Sequence, residues 1–123
     1  MRTRRSFAIA CVALALVFFG AQAAVAITSS EWQQWPEGDQ MPFIMGVADF
    51  LIFIGGHIKD QGGARTNTEQ ALMDRADCAL SNRLTYSQIR QILVQYLNNY
   101  PDKRGYGLTS NLLAALGKHC NQF

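Results

Sequence analysis

Two cysteines, Cys78 and Cys120, lie on either side of two helix-like segments of nearly equal length. An antiparallel helix pair brings its first residue beside its last, so we expect the two thiols to meet at the open end of a helical hairpin. They would oxidise to a disulfide in a chain that leaves the reducing cytoplasm. The cysteines therefore constrain both the fold and the compartment.

The first 26 residues have the layout of a cleavable export signal. Three arginines stand near the start, an uncharged apolar run extends from Phe7 to Phe19, and small residues lead to Ala24-Val25-Ala26. This order is typical of a bacterial signal peptide, and the run is shorter than the roughly 20 residues of a membrane-spanning helix. We expect cleavage after Ala26, with Ala23 as the alternative, and a periplasmic domain of residues 27–123.

Two export routes remain open. Thr3-Arg4-Arg5-Ser6-Phe7 resembles a twin-arginine signal, which carries a protein out already folded. The usual basic residue after the phenylalanine is absent, and the following run is strongly apolar. Both features favour the general secretory route.

Removal of the signal reverses the formal charge of the chain. The full sequence has 11 Lys and Arg and 9 Asp and Glu; without Arg2, Arg4 and Arg5, 8 basic and 9 acidic residues remain, a formal charge of −1. The mature part has no Lys/Arg cluster of the kind that neutralises nucleic-acid phosphates or anionic lipids. We therefore predict no nucleic-acid partner, and no stable membrane span after cleavage.

Apolar periodicity predicts a first main helix from about Pro42 to Ile58. One broad apolar face recurs at helical spacing and consists of Phe43, Ile44, Val47, Phe50, Leu51, Ile54 and Ile58. Because Ile52 and Phe53 lie off this stripe, the helix is apolar nearly all round, which predicts a central position in the fold. Pro42 suits a first helical turn. A second membrane span is the alternative, but the run is short and contains Asp49.

Two further helices form the predicted hairpin. Thr85 and Gln88 have the spacing of a capping box, and the helix that follows ends at Pro101. The third main helix begins just after Pro101 and runs to about Gly117. We also expect a short helix from Thr66 to Ala76 and another around residues 30–35. The fold class is all-α: a small domain of three main helices, with the last two an antiparallel hairpin closed by the disulfide.

Residues with catalytic or metal-binding potential are few. The mature sequence has no nucleophile elbow, phosphate-binding glycine loop or paired carboxylates. Cys78, His119 and Cys120 lack the spacing of zinc sites, and oxidation would remove both sulfurs as ligands. Asp49 is more simply a hydrogen-bonded or exposed carboxylate than an acid or base. We predict no enzyme activity, metal or cofactor.

Aromatic residues provide the candidates for partner binding. Trp32 and Trp35 lie in an acidic segment, and Tyr100 and Tyr106 lie near the predicted turn. Tryptophan and tyrosine are enriched at interface hot spots. The alternative for each pair is a packing role, which for the tryptophans would be a lid over the helical core.

Several motifs occur in a suggestive order. They are Gly46-Val47-Ala48-Asp49, Cys78, the threonine-capped segment Leu84–Pro101 with its tyrosine–leucine pair, and Ala115-Leu116 followed by Cys120. Together they resemble the Rap/Tai family of type VI secretion immunity proteins. The likeness covers roughly residues 30–120. Tyr100 stands where that family usually has a histidine before the proline, and an expected extra cysteine before Gly46 is absent.

The resemblance implies a helical periplasmic protein that binds a secreted peptidoglycan amidase and blocks its active site. It also allows for a homodimer. Two alternatives remain: a periplasmic acid-stress chaperone of the HdeA type, and an accessory envelope protein.

The mass of the exported protein tests both the cleavage site and the disulfide. We expect a chain that starts at Ile27, with a mass two hydrogens below that of its reduced form. Intact mass spectrometry before and after reduction measures this difference. Two thiols that can be alkylated without reductant would exclude the bridge.

Overall fold

The computed structural model describes residues 26–121, which form five α-helices, one 3₁₀ helix and no β-strand. The helices are α1 (Ser29–Gln33), α2 (Glu37–Gln61), α3 (Asn67–Ser81), α4 (Tyr86–Asn99), the 3₁₀ helix (Pro101–Gly105) and α5 (Leu108–Cys120). The predicted all-α class is confirmed. The predicted export signal lies outside the described residues, apart from Ala26.

A capping box starts α1, α3 and α4. Thr28, Thr66 and Thr85 each accept a hydrogen bond from the backbone N–H three residues on, at 3.2 Å. The Glu or Gln side chain at that position accepts the threonine's own backbone N–H at 2.7–2.8 Å. Each box satisfies two backbone donors that the first turn of a helix leaves open, so three helix starts are set by local sequence.

Helix α2 is longer than predicted at both ends. It begins at Glu37, so Pro42 lies inside the helix rather than in its first turn. Proline there removes one hydrogen bond, to the carbonyl of Gly38, and that residue is exposed, so water can reach the unpaired oxygen. The acidic first turn also favours an early start. The helix ends at Gly62, whose φ of 64° suits glycine.

Helix α3 spans 15 residues, well beyond the short helix predicted to end at Ala76. Cys78 therefore lies in its last turn and not in a loop before the hairpin. The predicted Cys78–Cys120 disulfide is present and joins the end of α3 to the end of α5, with the two Cα atoms 6.0 Å apart. In the chain-entropy model a loop of this length contributes about 4 kcal/mol to stability.

The core lies where one side each of α2, α3, α4 and α5 meet, and α1 closes one end. The 3₁₀ helix turns the chain so that α5 packs on α4, which gives the predicted hairpin. The buried apolar cluster consists of Trp32, Ile44, Ala48, Leu51, Ala76, Ile89, Ile92, Leu93, Tyr96, Leu97, Leu108, Leu112, Ala115 and Leu116.

Buried Gln40 holds the connection between α1 and α2. Its amide nitrogen donates to the backbone carbonyls of Trp32 and Trp35, at 3.1 and 2.9 Å, and its oxygen accepts a hydrogen bond of 2.9 Å from Arg90 on α4. Because a buried amide without partners would cost about 1–3 kcal/mol, these contacts stabilise one path of the chain.

Hydrogen bonds join the first described residues, before and in α1, to the segment in which α5 begins. Asn111 on α5 donates to the Ser29 hydroxyl at 2.7 Å and to the Lys103 carbonyl at 2.8 Å. The backbone N–H of Leu108 donates to the Ile27 carbonyl at 3.0 Å, and that of Ser29 to the Tyr106 carbonyl at 3.0 Å. These bonds position the start of α5 beside α1.

Two glycines of α2 should respond in opposite ways to alanine. A Cβ at Gly55 would lie 2.5 Å from the Cβ of Ala76 on α3, whereas a Cβ at Gly46 would meet nothing within 4 Å. We expect Gly55→Ala to lower the free energy of unfolding by about 1–3 kcal/mol through overpacking. Gly46→Ala should raise it by about 0.5–1 kcal/mol through helix propensity.

Urea denaturation of the oxidised mature protein measures both changes, with Gly46→Ala as the matched control. A Gly55→Ala protein as stable as the wild type would contradict the close packing of α2 on α3.

Candidate interaction surface

Helix α2 exposes a row of large apolar side chains. Phe53 is 69% exposed, Phe50 63% and Met45 41%. The ring of His57 stacks on Phe53, with ring centroids 6.4 Å apart and an angle of 8° between the planes. We call Met45, Phe50, Phe53 and His57, together with exposed Gly46 and Gly56, the aromatic face of α2. The predicted central position of this helix is wrong, because its core contacts lie on the opposite side.

Exposure of two phenylalanines on one helix is costly for an isolated domain. Covering each ring would contribute about 1.5–3 kcal/mol, and contiguous apolar patches on soluble proteins commonly mark interaction sites. Added Cβ atoms at Gly46 and Gly56 would meet nothing within 4 Å, so the backbone of this face is open to close approach. The face is therefore suited to contact with another surface.

Helix α2 is also long and apolar enough, by length and composition alone, to cross a membrane. Its buried side packs against α3 and α4 through Ile44, Ala48, Leu51 and Gly55. Length and apolar composition are shared by the core helices of soluble domains, so they do not decide between the two environments.

Carboxylates lie among the exposed residues of the same helix side. Asp39, Asp49 and Asp60 are exposed and are separated by 10 and 11 residues, about three helical turns each. The Tyr86 hydroxyl of α4 donates to Asp49 at 2.6 Å, and this hydrogen bond raises the pKa of Tyr86. The hydrogen-bonded, exposed carboxylate expected as the simpler role of Asp49 is the arrangement observed.

A second, smaller surface feature is the groove between α4 and α5. Tyr96 and Tyr100 have ring centroids 4.9 Å apart, and the Lys118 ammonium lies 4.8 Å from the centroid of the Tyr100 ring. Hydrogen bonding to the Tyr100 side chain raises the pKa of Lys118. Ile92 and Ala115 line the same groove. The lysine and the ring stabilise each other through a cation–π contact.

The four predicted partner-binding residues have different surroundings. Trp32 is fully buried, and its indole N–H donates to the Gln40 carbonyl at 3.4 Å, so it has the lid role given as the alternative. Trp35 is half-buried against the core. Tyr100 lines the groove, and Tyr106 is 58% exposed beneath the Lys103 ammonium, 5.1 Å from its ring centroid. Trp32 is thus a core residue and not a surface contact.

Within residues 26–121, no group of three or more His, Cys, Asp or Glu side chains is placed to hold a metal ion. The described residues do form the Asp49–Tyr86 hydrogen bond, the disulfide, the aromatic face of α2 and the groove between α4 and α5. These can support contact with a partner.

The sequence prediction missed Phe50 and Phe53 as surface residues. Periodicity assigned Phe50 to the inward stripe and placed Phe53 in a helix that is apolar on nearly all sides. Asp49 and Asp60 carried the missing signal, because two acidic residues about three full turns apart in an apolar helix indicate its solvent side.

Comparisons with protein-family models, with curated proteins and with solved structures find no match to this chain. The resemblance to the Rap/Tai family therefore stays a prediction.

Loss of the Asp49 carboxylate should lower the pKa of Tyr86. The folded protein favours the protonated hydroxyl, so its contribution to stability is present below the ordinary tyrosine pKa of about 10. It is lost as the pH rises through the higher pKa of the folded state. We expect Asp49→Asn to move the tyrosine titration towards the ordinary value.

Tyrosinate absorbance, measured as the difference between the protein and its Tyr86→Phe variant, reports this titration. Asp102→Asn removes an exposed carboxylate elsewhere and serves as the control. An unchanged Tyr86 pKa in Asp49→Asn would contradict the close contact between the hydroxyl and the Asp49 carboxylate in solution.

Proposed function

We propose that this chain is an exported, non-catalytic binding protein that neutralises a secreted peptidoglycan amidase, as an immunity protein of type VI secretion. The exposed aromatic face of α2 carries the proposal, because Phe50 and Phe53 offer a partner two large apolar side chains on one rigid helix. The protein would act by covering the active site of the enzyme, and its own chemistry would play no part.

The position of the resembling motif supports this assignment. Gly46 and Asp49, the two ends of the Gly46-Val47-Ala48-Asp49 motif, are both exposed on α2 beside the phenylalanines. A motif that served only core packing would place its distinctive residues inwards. These two residues instead lie where a partner would contact them.

The scaffold behind the face is well suited to tight binding. The disulfide ties α3 to α5, and the buried side of α2 packs through Ile44 and Leu51 into the core that these helices share. A face that is already ordered loses little conformational entropy when a partner binds. Buried aromatic contacts at the centre of an interface commonly contribute 2 kcal/mol or more each, about thirtyfold in affinity.

An acid-stress chaperone is the second candidate, because an exposed aromatic face could also hold unfolded clients. Such a protein would bind many sequences with low selectivity and would act at low pH. An accessory envelope protein would bind neither an amidase nor unfolded clients. The two alternatives therefore differ from the immunity function in a measurable way.

The test uses the oxidised mature protein and the product of the adjacent reading frame, assayed for cleavage of peptidoglycan amide bonds. We expect the protein to inhibit this activity at a one-to-one ratio of binding sites. The Phe50→Ser/Phe53→Ser variant should weaken inhibition by at least about thirtyfold, which corresponds to about 2 kcal/mol. Leu80→Ser is the matched control, since Leu80 is a 55% exposed apolar residue on α3.

Circular dichroism confirms that each variant is folded. An amidase that is not inhibited would overturn the assignment, as would full inhibition by the double serine variant. Suppression of acid-induced client aggregation without any amidase binding would favour the chaperone.

A further inference from the structure

We propose that the aromatic face of α2 receives a partner segment whose apolar side chains are bordered by lysine or arginine. The inference rests on the proposed binding function and specifies the chemistry of the partner at that surface.

The charge on the exposed side of α2 is negative. Asp39, Asp49 and Asp60 are exposed, and Asp49 and Asp60 precede and follow Phe53 by four and seven residues, which places all three on one helix side. Lys59, the one Lys or Arg in α2, pairs instead with Asp77 of α3 at 3.4 Å. The aromatic face is therefore apolar at its centre and acidic along its length.

The hydrogen bond to Asp49 does not remove its charge. Its donor is the neutral Tyr86 hydroxyl, 2.6 Å from one carboxylate oxygen, and this contact raises the pKa of Tyr86. The tyrosine stays protonated at neutral pH and holds the carboxylate in one orientation. An ordered carboxylate beside an apolar patch is a suitable acceptor for a partner's ammonium or guanidinium group.

The two exposed glycines leave space for a long side chain of the partner. Beyond the adjacent backbone of the helix itself, nothing lies within 4 Å of a Cβ added at Gly46 or Gly56, and these positions flank the phenylalanines at either end. A lysine or arginine stem can lie along such bare helix surface while its charged end reaches a carboxylate. Asp49 lies three residues from Gly46, and Asp60 lies four residues from Gly56.

The negative charge of this face disfavours two other occupants. A second copy would bring its own Asp39, Asp49 and Asp60 against the same three residues, and opposed like charges disfavour an interface. The anionic surface of a bilayer would repel them as well. All three carboxylates attract a basic partner, so the charges favour this occupant.

The experiment measures binding of three synthetic helical peptides to the oxidised mature protein by fluorescence anisotropy. The peptides share one leucine spacing and carry lysine, glutamine or glutamate at the remaining exposed positions. We expect the lysine peptide to bind at least about tenfold more tightly than the glutamate peptide at about 10 mM salt. The difference should shrink near 150 mM salt, where the Debye length falls from about 30 Å to about 8 Å.

Two pairs of charge variants test which carboxylates attract the lysine peptide. Asp39→Asn/Asp60→Asn should weaken binding of the lysine peptide several-fold and leave the glutamine peptide unchanged. Asp74→Asn/Asp102→Asn alters the net charge equally at exposed residues outside α2, so it should weaken binding of the lysine peptide clearly less than the first pair does, and it should leave the glutamine peptide unchanged. Phe53→Ser should weaken binding of the lysine and glutamine peptides alike.

Several outcomes would overturn the inference. They are equal binding of the lysine and glutamate peptides, equal effects of the two charge-variant pairs, and a dimer in sedimentation that Phe53→Ser dissolves. Tighter binding to phosphatidylglycerol vesicles than to the lysine peptide would also overturn it.

The amidase assay separates this inference from the proposed function. Amidase inhibition that is insensitive to salt and to Asp39→Asn/Asp60→Asn would overturn the charge inference alone. Selective lysine-peptide binding by a protein that inhibits no amidase would overturn the proposed function alone.

Discussion

The covalent bond between Cys78 and Cys120 is the constraint on which this small domain most depends. It joins the last turns of α3 and α5, two helices that are 26 residues or more apart in the chain. Arg75 reinforces the same contact: its guanidinium donates to the Leu113 carbonyl at 2.6 Å and lies where a side chain at Gly117 would otherwise sit. With α3 held against α5, and α5 packed on α4, one side of α2 packs on α3 and α4, and its other side is left to solvent.

Local chemistry made much of the fold predictable. Thr85 and Gln88 specified the start of α4, and the disulfide followed from the positions of two cysteines relative to the hairpin. The start of α3 after Thr66 was predicted correctly, but its length was underestimated, because two of its three buried residues, Ala76 and Ala79, are small and give a weak apolar pattern. A helix end that is fixed by a capping residue can be predicted from the local sequence. A helix length that depends on packing against other helices cannot.

The candidate surface was harder to predict, because it depends on which side of α2 the other helices cover. Periodicity cannot identify the exposed side of a helix that is apolar nearly all round, so Phe50 and Phe53 were assigned to the interior. The same limit applies to Trp32, whose burial follows from Gln40 turning the α1–α2 connection over the core. In both cases the deciding information is a long-range contact.

The bonds that tie residues 27–29 to residues 106–111 have a consequence for the order in which the protein folds. Asn111 and Ser29 are 82 positions apart, so this contact forms only after nearly the whole polypeptide has been synthesised. Contacts of such sequence separation form late and slowly. Because α1 and α5 must meet, residues 26–121 can complete their native packing only after α5 has left the ribosome.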